Sequence, residues 1–262
     1  MTAVSAVERD GRVLRCRIST GRHGALDGEL MREVTGALTA LAGQDPADPD
    51  GVGAVLVHGD GENFCTGGNV RDFAAAQDRG AFVHEVAEIF HGLQRPLVNS
   101  PVPTVAAVRG WAAGAGMSVA LACDLAVGGS STRMRPAYPG IGFSPDGGMT
   151  WMLPRLVGAA RARRILLTDE VLDAGTLAEL GLLTEVVDDD AVADAAGALA
   201  DRLAQGPTAA LGRIRGLLGR TWESKLDSQL DAEADSIATC AAGPEGVEGL
   251  AAFGEKRRPH FH

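Results

Sequence analysis

Two glycine-rich turns are the residues whose types and spacing can do chemistry in this chain, and one aspartate beyond them is either a proton carrier or a turn residue. The first turn, "GENFCTGGNV" from Gly61 to Val70, follows the apolar run "VGAVLVHG" and places Cys65, Thr66, Gly67, Gly68 and Asn69 side by side. Without a Cβ, the paired glycines allow backbone conformations and close approaches that aim amide N–H groups into a pocket. The second turn, "GWAAGAGMS" from Gly110 to Ser118, offers Gly114, Ala115 and Gly116 at the start of an apolar helix. Free N–H groups and the positive end of the helix dipole favour developing negative charge there. Two such donors converging on one oxygen make an oxyanion hole. The competing reading is that small residues merely let a helix pack closely. Neither turn is a phosphate loop, because no Lys-Ser/Thr follows the glycines and the spacing G-x-G-x-x-G is absent.

The aspartate is Asp146 in "FSPDGG", with Phe143, Met149 and Trp151 as expected apolar neighbours. A carboxylate there can take and return a proton, although Pro-Asp-Gly-Gly is also a good turn sequence. His84, Glu85, Glu88 and His91 fall on one expected helix, where a solvated face is the simpler reading. Ser118 has no His in an obvious partner motif and reads as a small polar residue rather than a nucleophile.

The elements that must position these residues alternate between strand-like and helix-like segments, the pattern of an α/β layer structure. Strands are expected at "GRVLRCRIS", "GAVLVHG", "PTVAAVRG", "DLAVGG" and near "LLTEVV". Helices are expected over Gly28 to Leu41, Gly80 to Leu93 and about Gly114 to Cys123. From about Val192 only helix-forming sequence follows, which suggests a core over residues 1–195 and a helical region over residues 196–262. Spacers such as "GQDPADPDG" read as surface connections. A hydrophobic fraction of 45% in 262 residues is enough for a sizeable core. With three Trp, one Tyr and seven Phe, that core is expected to be aliphatic.

A net charge of -10 argues against nonspecific nucleic-acid binding, and "GEKRRPHFH" is the one basic cluster. The apolar stretch Trp111 to Gly129 is interrupted by Asp124 and falls short of a ~20-residue membrane span. Cys16, Cys65, Cys123 and Cys240 show no paired metal-ligand spacing, and "MTAVSAVERDGRV" lacks an apolar leader run. A reducing, cytoplasmic protein with no structural metal is the expectation.

In order along the chain, "GENFCTGGNV", "VAAVRGWAAGAGMSVALACDLAV", "IGFSPDGGMTWMLPRLVG" and "EGVEGLAAFGEKRRPHF" resemble four sequence blocks of the crotonase, or enoyl-CoA hydratase/isomerase, family. The resemblance implies a spiral of β-β-α units, a C-terminal helical region used for trimerisation as a homotrimer or dimer of trimers, and an acyl-CoA thioester as substrate. Coenzyme A enters as part of that thioester, with no separate cofactor. By motif position the oxyanion donors are the N–H groups of Gly68 and Ala115. The CoA contacts fall on Ala25, Gly67, Asn69, Val70, Phe253 and Lys256, the last two often reaching across a subunit boundary. Trp111, Ser118 and Tyr138 are candidates to line the acyl pocket.

The two glutamates of the family's hydratases fall on Ser118 and Tyr138 in this chain, and neither is a carboxylate. Asp146 matches the aspartate with which the family's ring-epoxide and 3-enoyl to 2-enoyl isomerases move a proton. The implied activity is therefore an acyl-CoA isomerase that shifts a C=C bond through a dienolate, with Asp146 as proton shuttle. A hydration or another reaction of this type on a specialised thioester is one alternative, and a non-catalytic acyl-CoA binding protein is another.

Overall fold

The computed structural model describes residues 5–21, 23–45 and 47–262. Residues 1–4 of the N-terminal stretch and Pro46 of the first spacer lie outside them. The chain opens with β1 (Val7–Asp10), β2 (Val13–Thr20), β3 (Ala25–Leu26), α1 (Gly28–Leu41) and β4 (Ala54–Gly59). After the first glycine turn come α2 (Val70–Ala75), α3 (Arg79–Val98), β5 (Thr104–Val108) and β6 (Trp111–Ala113). The second glycine turn leads into α4 (Ala115–Ala122), β7 (Leu125–Gly129) and β8 (Arg133–Arg135). There follow α5 (Met149–Val157), α6 (Ala159–Thr168), β9 (Leu172–Asp173), α7 (Ala174–Glu179), β10 (Glu185–Val187) and α8 (Val192–Ala204). Three helices close the chain: α9 (Thr208–Arg220), α10 (Leu226–Ala242) and α11 (Pro244–Glu255).

The main sheet has the order β1-β2-β4-β5-β7-β10, with β3 hydrogen-bonded to β2. From β2 to β10 the neighbours run parallel. Strands buried on both faces need apolar side chains at every position, which explains "AVLV" in β4 and "TVAAV" in β5. Their alternation divides two cores. Val55, Val57, Ala106 and Val108 pack on one face with Val34, Leu38 and Leu93 of α1 and α3. Ala54, Leu56, Val105 and Ala107 pack on the other with Val192, Ala196, Leu199 and Ala200 of α8. The expected boundary at residue 195/196 therefore falls inside α8, a layer of the core that extends to Ala204.

Helix α1 has the expected bounds because Asp27 accepts hydrogen bonds from Glu29 and Leu30 N–H at its start, and Met31, Val34, Leu38 and Leu41 make its buried stripe. Helix α3 runs longer than the expected Gly80 to Leu93, with Pro96 inside its last turn. The β1 strand and the second sheet, β6-β8-β9, were not expected from sequence. The strands of that sheet are two or three residues long, too short for an alternation to register. Near "LLTEVV" only Glu185–Val187 is strand, since Leu182 and Leu183 instead fill the core.

Among the described residues no helix is long and apolar enough to cross a membrane. The C-terminal helices differ from the rest in exposure: α10 has no buried residue, and Leu218, Trp222, Leu226, Ile237, Leu250 and Phe253 are exposed.

Candidate active site

The two glycine turns are locked together by backbone hydrogen bonds and by Asn63 Oδ1, which accepts from Trp111 N–H at 3.0 Å. Cys65 N–H donates to Trp111 O at 3.1 Å, and Ala113 N–H donates to Cys65 O at 2.8 Å. Leu26 N–H donates to Gly67 O at 2.9 Å, tying the first turn to β3. Gly67 has a φ of 90° and Gly114 one of 56°, conformations that L side chains rarely adopt. A Cβ on Gly116 would overlap the Cys65 carbonyl, and one on Gly67 would stand 3.6 Å from Ala115 N. The turns thus meet at a distance that side chains would forbid.

Gly68 and Ala115 both line the resulting cavity. Ala115 is the first residue of α4, so its N–H has no acceptor within the helix. Among the described residues neither amide donates to a turn, cap or side-chain acceptor. The Cys65 thiol beneath the turn is pushed up to about 12 by burial, so it remains a protonated packing group there and not a nucleophile.

Asp146 enters the same cavity from the loop before α5. Tyr138 OH donates to Asp146 Oδ1 at 2.6 Å. Burial, and then the Asp146 charge, push the Tyr138 hydroxyl well above the usual phenol range, which keeps it a donor. Asp146 Oδ2 accepts no hydrogen bond from the described residues. Ser118 Oγ donates to Asp146 O at 3.1 Å. Gly147 N–H donates to His91 Nε2 at 3.2 Å, and Gln94 Nε2 donates to Gly147 O at 2.6 Å. Tyr138 is itself placed by a strained neighbour. Ala137 has a φ of 62°, held there by its N–H donating to Asp169 Oδ1 at 2.7 Å, while Arg135 pairs with Asp169 Oδ2 at 2.5 Å.

The structure brings Gly67, Gly68, Asn69, Val70, Ala115, Tyr138 and Asp146 to one cavity of about 800 Å3. Asn69 also caps α2, its side chain accepting from Arg71 N–H at 3.2 Å. Ala25 pairs with Gly67 but does not line the cavity; its neighbour Leu26 does. Two placements, those of Trp111 and Ser118, differ from expectation. Trp111 is outside the lining and 39% exposed, and it serves through its backbone. Ser118 is fully buried behind the Asp146 loop. Phe253 and Lys256, at the end of α11, do not line the cavity within one chain, and the Phe253 side chain is 86% exposed.

The wall beside Asp146 also differs. Phe143 lines the cavity, Met149 belongs to the core, and Trp151 lies outside it, with the Arg155 guanidinium 3.9 Å from its ring centroid. The helix face expected to be solvated is half so: Glu88 is exposed, whereas His91 turns inward to the Gly147 amide. Gln94, Ala137 and Asp169 escape sequence reasoning, and His91 reads as solvated in it, because their partners are remote in the chain. The lining carboxylates are Asp146 and Asp72, and Asp72 is exposed on α2.

The enoyl-CoA hydratase/isomerase family model matches residues 10–262. The chain belongs to this family. It is 36% identical over 217 residues to the 1,2-epoxyphenylacetyl-CoA isomerase of Escherichia coli (strain K12), covering 81% of this chain and 82% of the relative. It is 30% identical over 237 residues to 4-chlorobenzoyl coenzyme A dehalogenase-1 of Arthrobacter sp, covering 90% and 84%. A crystal structure of an enoyl-CoA hydratase from Polaromonas sp. JS666 superposes with a TM-score of 0.89 at 32% identity, over 97% of this chain and 98% of that one. The α/β crotonase fold with its helical C-terminal region is thus that of an enzyme family whose members carry names for different reactions, so the site must decide among them.

The contact between the turns is testable. Gly116→Ala is expected to lower the melting temperature by at least several degrees, because a backbone carbonyl must move to admit the methyl. Gly92→Ala, on α3 with open space at its Cβ position, is expected to be neutral or stabilising by up to about 1 kcal/mol. Thermal denaturation of the two variants side by side checks both.

Proposed function

We propose that this enzyme is an acyl-CoA isomerase that moves a C=C bond through a dienolate, with Asp146 as the proton shuttle. The observation that carries the reading is the Asp146 carboxylate, clamped by Tyr138 and facing a cavity that it shares with the Gly68 and Ala115 amides. In this reading the thioester oxygen of a 3-enoyl-CoA accepts hydrogen bonds from those amides. Asp146 removes a proton from C2: the C2–H bond breaks, and its electron pair delocalises over C2 to C4 and the oxygen. The carboxylic acid then returns the proton to C4, leaving the double bond between C2 and C3. Each oxyanion donor lowers the barrier by about 3 to 4 kcal/mol, and the oriented base contributes roughly 10²- to 10⁴-fold.

Hydration by two acids is disfavoured by the same geometry, since Ser118 and Tyr138 occupy the glutamate positions and both bond to Asp146 rather than to the open cavity. The acyl end of the cavity is aromatic in a chain poor in aromatics. Phe73 stacks at 6.2 Å from both Phe82 and Phe143, and Phe90 completes the wall. Aromatic rings favour edge and offset contacts with another ring, which supports an acyl group that carries one. The activity named for the Escherichia coli relative agrees with that choice.

We also propose a homotrimer or dimer of trimers, supported by the exposed apolar side chains of α9, α10 and α11. Light scattering is expected to give a mass of three or six times 27.0 kDa; a single 27.0 kDa species would refute assembly.

Incubation with ring-bearing and straight-chain enoyl-CoA esters in deuterated water tests the reaction. The expected product has the mass of the substrate apart from deuterium, with its double bond moved; a product heavier by one water would establish hydration instead. Asp146→Asn is expected to lose at least 10²-fold in kcat while CoA-ester binding survives, and retained turnover would exclude Asp146 as the base. Tyr138→Phe is expected to lose roughly ten- to a hundredfold in kcat with KM little changed, the effect of one hydrogen bond to a charged group.

A further inference from the structure

The hydrogen bond behind the Asp146 loop dictates the protonation state of a histidine. An amide N–H only donates, so the Gly147 N–H bond at 3.2 Å requires a lone pair on His91 Nε2. The ring proton is then on Nδ1, which faces Glu88 Oε1 at 3.4 Å. Gly147 is buried with a φ of 61°, and a Cβ on it would overlap the Phe90 ring, so the loop cannot turn this N–H elsewhere by taking another residue. No other acceptor is given for it among the described residues.

We infer that His91 is a positioning residue that holds the Asp146 loop through the Gly147 amide in its neutral Nδ1–H form and releases it on protonation. An imidazolium has two donors and no acceptor. It would set N–H against N–H and leave a buried amide unpaired, which costs more than the bond itself contributes. The opposite Gly147 face does not titrate, because Gln94 Nε2 holds its carbonyl at 2.6 Å. His91 is therefore the one pH-dependent tie on this segment among the side chains bonded to it.

The proton has its own route. His91, Gln94 and Gly147 also line a second cavity of about 800 Å3, between α3, α5 and α9. The part-exposed imidazole thus has a side that lines this cavity and not the acyl cavity. On α3 the imidazole faces Glu88, with Arg95 standing 3.7 Å from Glu88 Oε2. Arg215 and Arg220 of α9, and Glu223 just after it, are the charged groups facing this cavity from the far side, with Arg215 paired to Asp124 at 2.5 Å. Asp146 is the charged group on the loop itself, and Trp151 of α5 brings no charge to the cavity.

The kinetic half of this inference rests on Asp146 as the base, whereas the structural half does not. Nitrogen-15 NMR of the wild-type protein at neutral pH is expected to report the Nδ1–H tautomer for His91; the Nε2–H tautomer would overturn the inference. His91→Leu is expected to lower kcat roughly ten- to a hundredfold at every pH with KM within about twofold. His91→Gln keeps an acceptor without titrating, so it is expected to hold kcat within about threefold at neutral pH and to retain activity further into acid than the wild type. Wild-type kcat in His91→Leu, or an unchanged acid limb in His91→Gln, would overturn it. Exchange of the Gly147 amide with deuterium, expected to be at least tenfold faster in His91→Leu than in His91→Gln, decides the clamp even if no ester is isomerised. Equal exchange in the two variants would remove it.

Discussion

Gly116 lies so close to the Cys65 carbonyl that no side chain fits between them, and the rest of the site follows from that contact. It lets the two paired hydrogen bonds between Cys65 and the Trp111 to Ala113 segment form. Those bonds bring the end of the first turn against the start of α4, with the Gly67 Cβ direction aimed at the Ala115 amide. Gly68 and Ala115, from segments separated by α2, α3, β5 and β6, then line one cavity.

The acid group is held with comparable economy of motion. The Asp146 segment is fastened at four atoms by Tyr138, Ser118, His91 and Gln94, which come from three different elements. Two of these are hydroxyl groups: Tyr138 OH bonds the carboxylate itself, and Ser118 Oγ bonds the backbone carbonyl of the same residue. The strained Ala137 and its Asp169 partner extend this support to α6. Strain of this kind persists only where surrounding hydrogen bonds over-determine the backbone, and here it sits directly beside the residue that touches Asp146.

The layers behind the site explain why it is rigid. Strands β4 and β5 end at the glycine turns, and their side chains alternate between two packed cores. Helix α8 seals the far face, so the sheet is not free to bend. The last three helices do not share this density, and their apolar faces lie open in the single chain. Phe253 and Lys256, which are not among the residues lining the cavity, belong to that open part.

By itself the sequence determined what local chemistry encodes. Apolar runs named the parallel strands, and periodicity and the Asp27 cap set the bounds of α1. The bare turns and Asp146 each have an ordinary reading as packing or turn residues, and only the ordered resemblance to the family's blocks singles them out. The tertiary structure alone decided what depends on contacts between distant residues. The β6-β8-β9 sheet has strands too short to carry a pattern and exists because neighbours pair it. Trp111 faces outward although its segment is apolar, since only its backbone is needed. Tyr138 reaches Asp146 only because Ala137 adopts a left-handed turn, and His91 turns from a solvated face to meet Gly147 across 56 positions of chain. Propensity and periodicity act over a few residues, whereas a hydrogen bond to a remote amide is visible only once packing has brought both ends together.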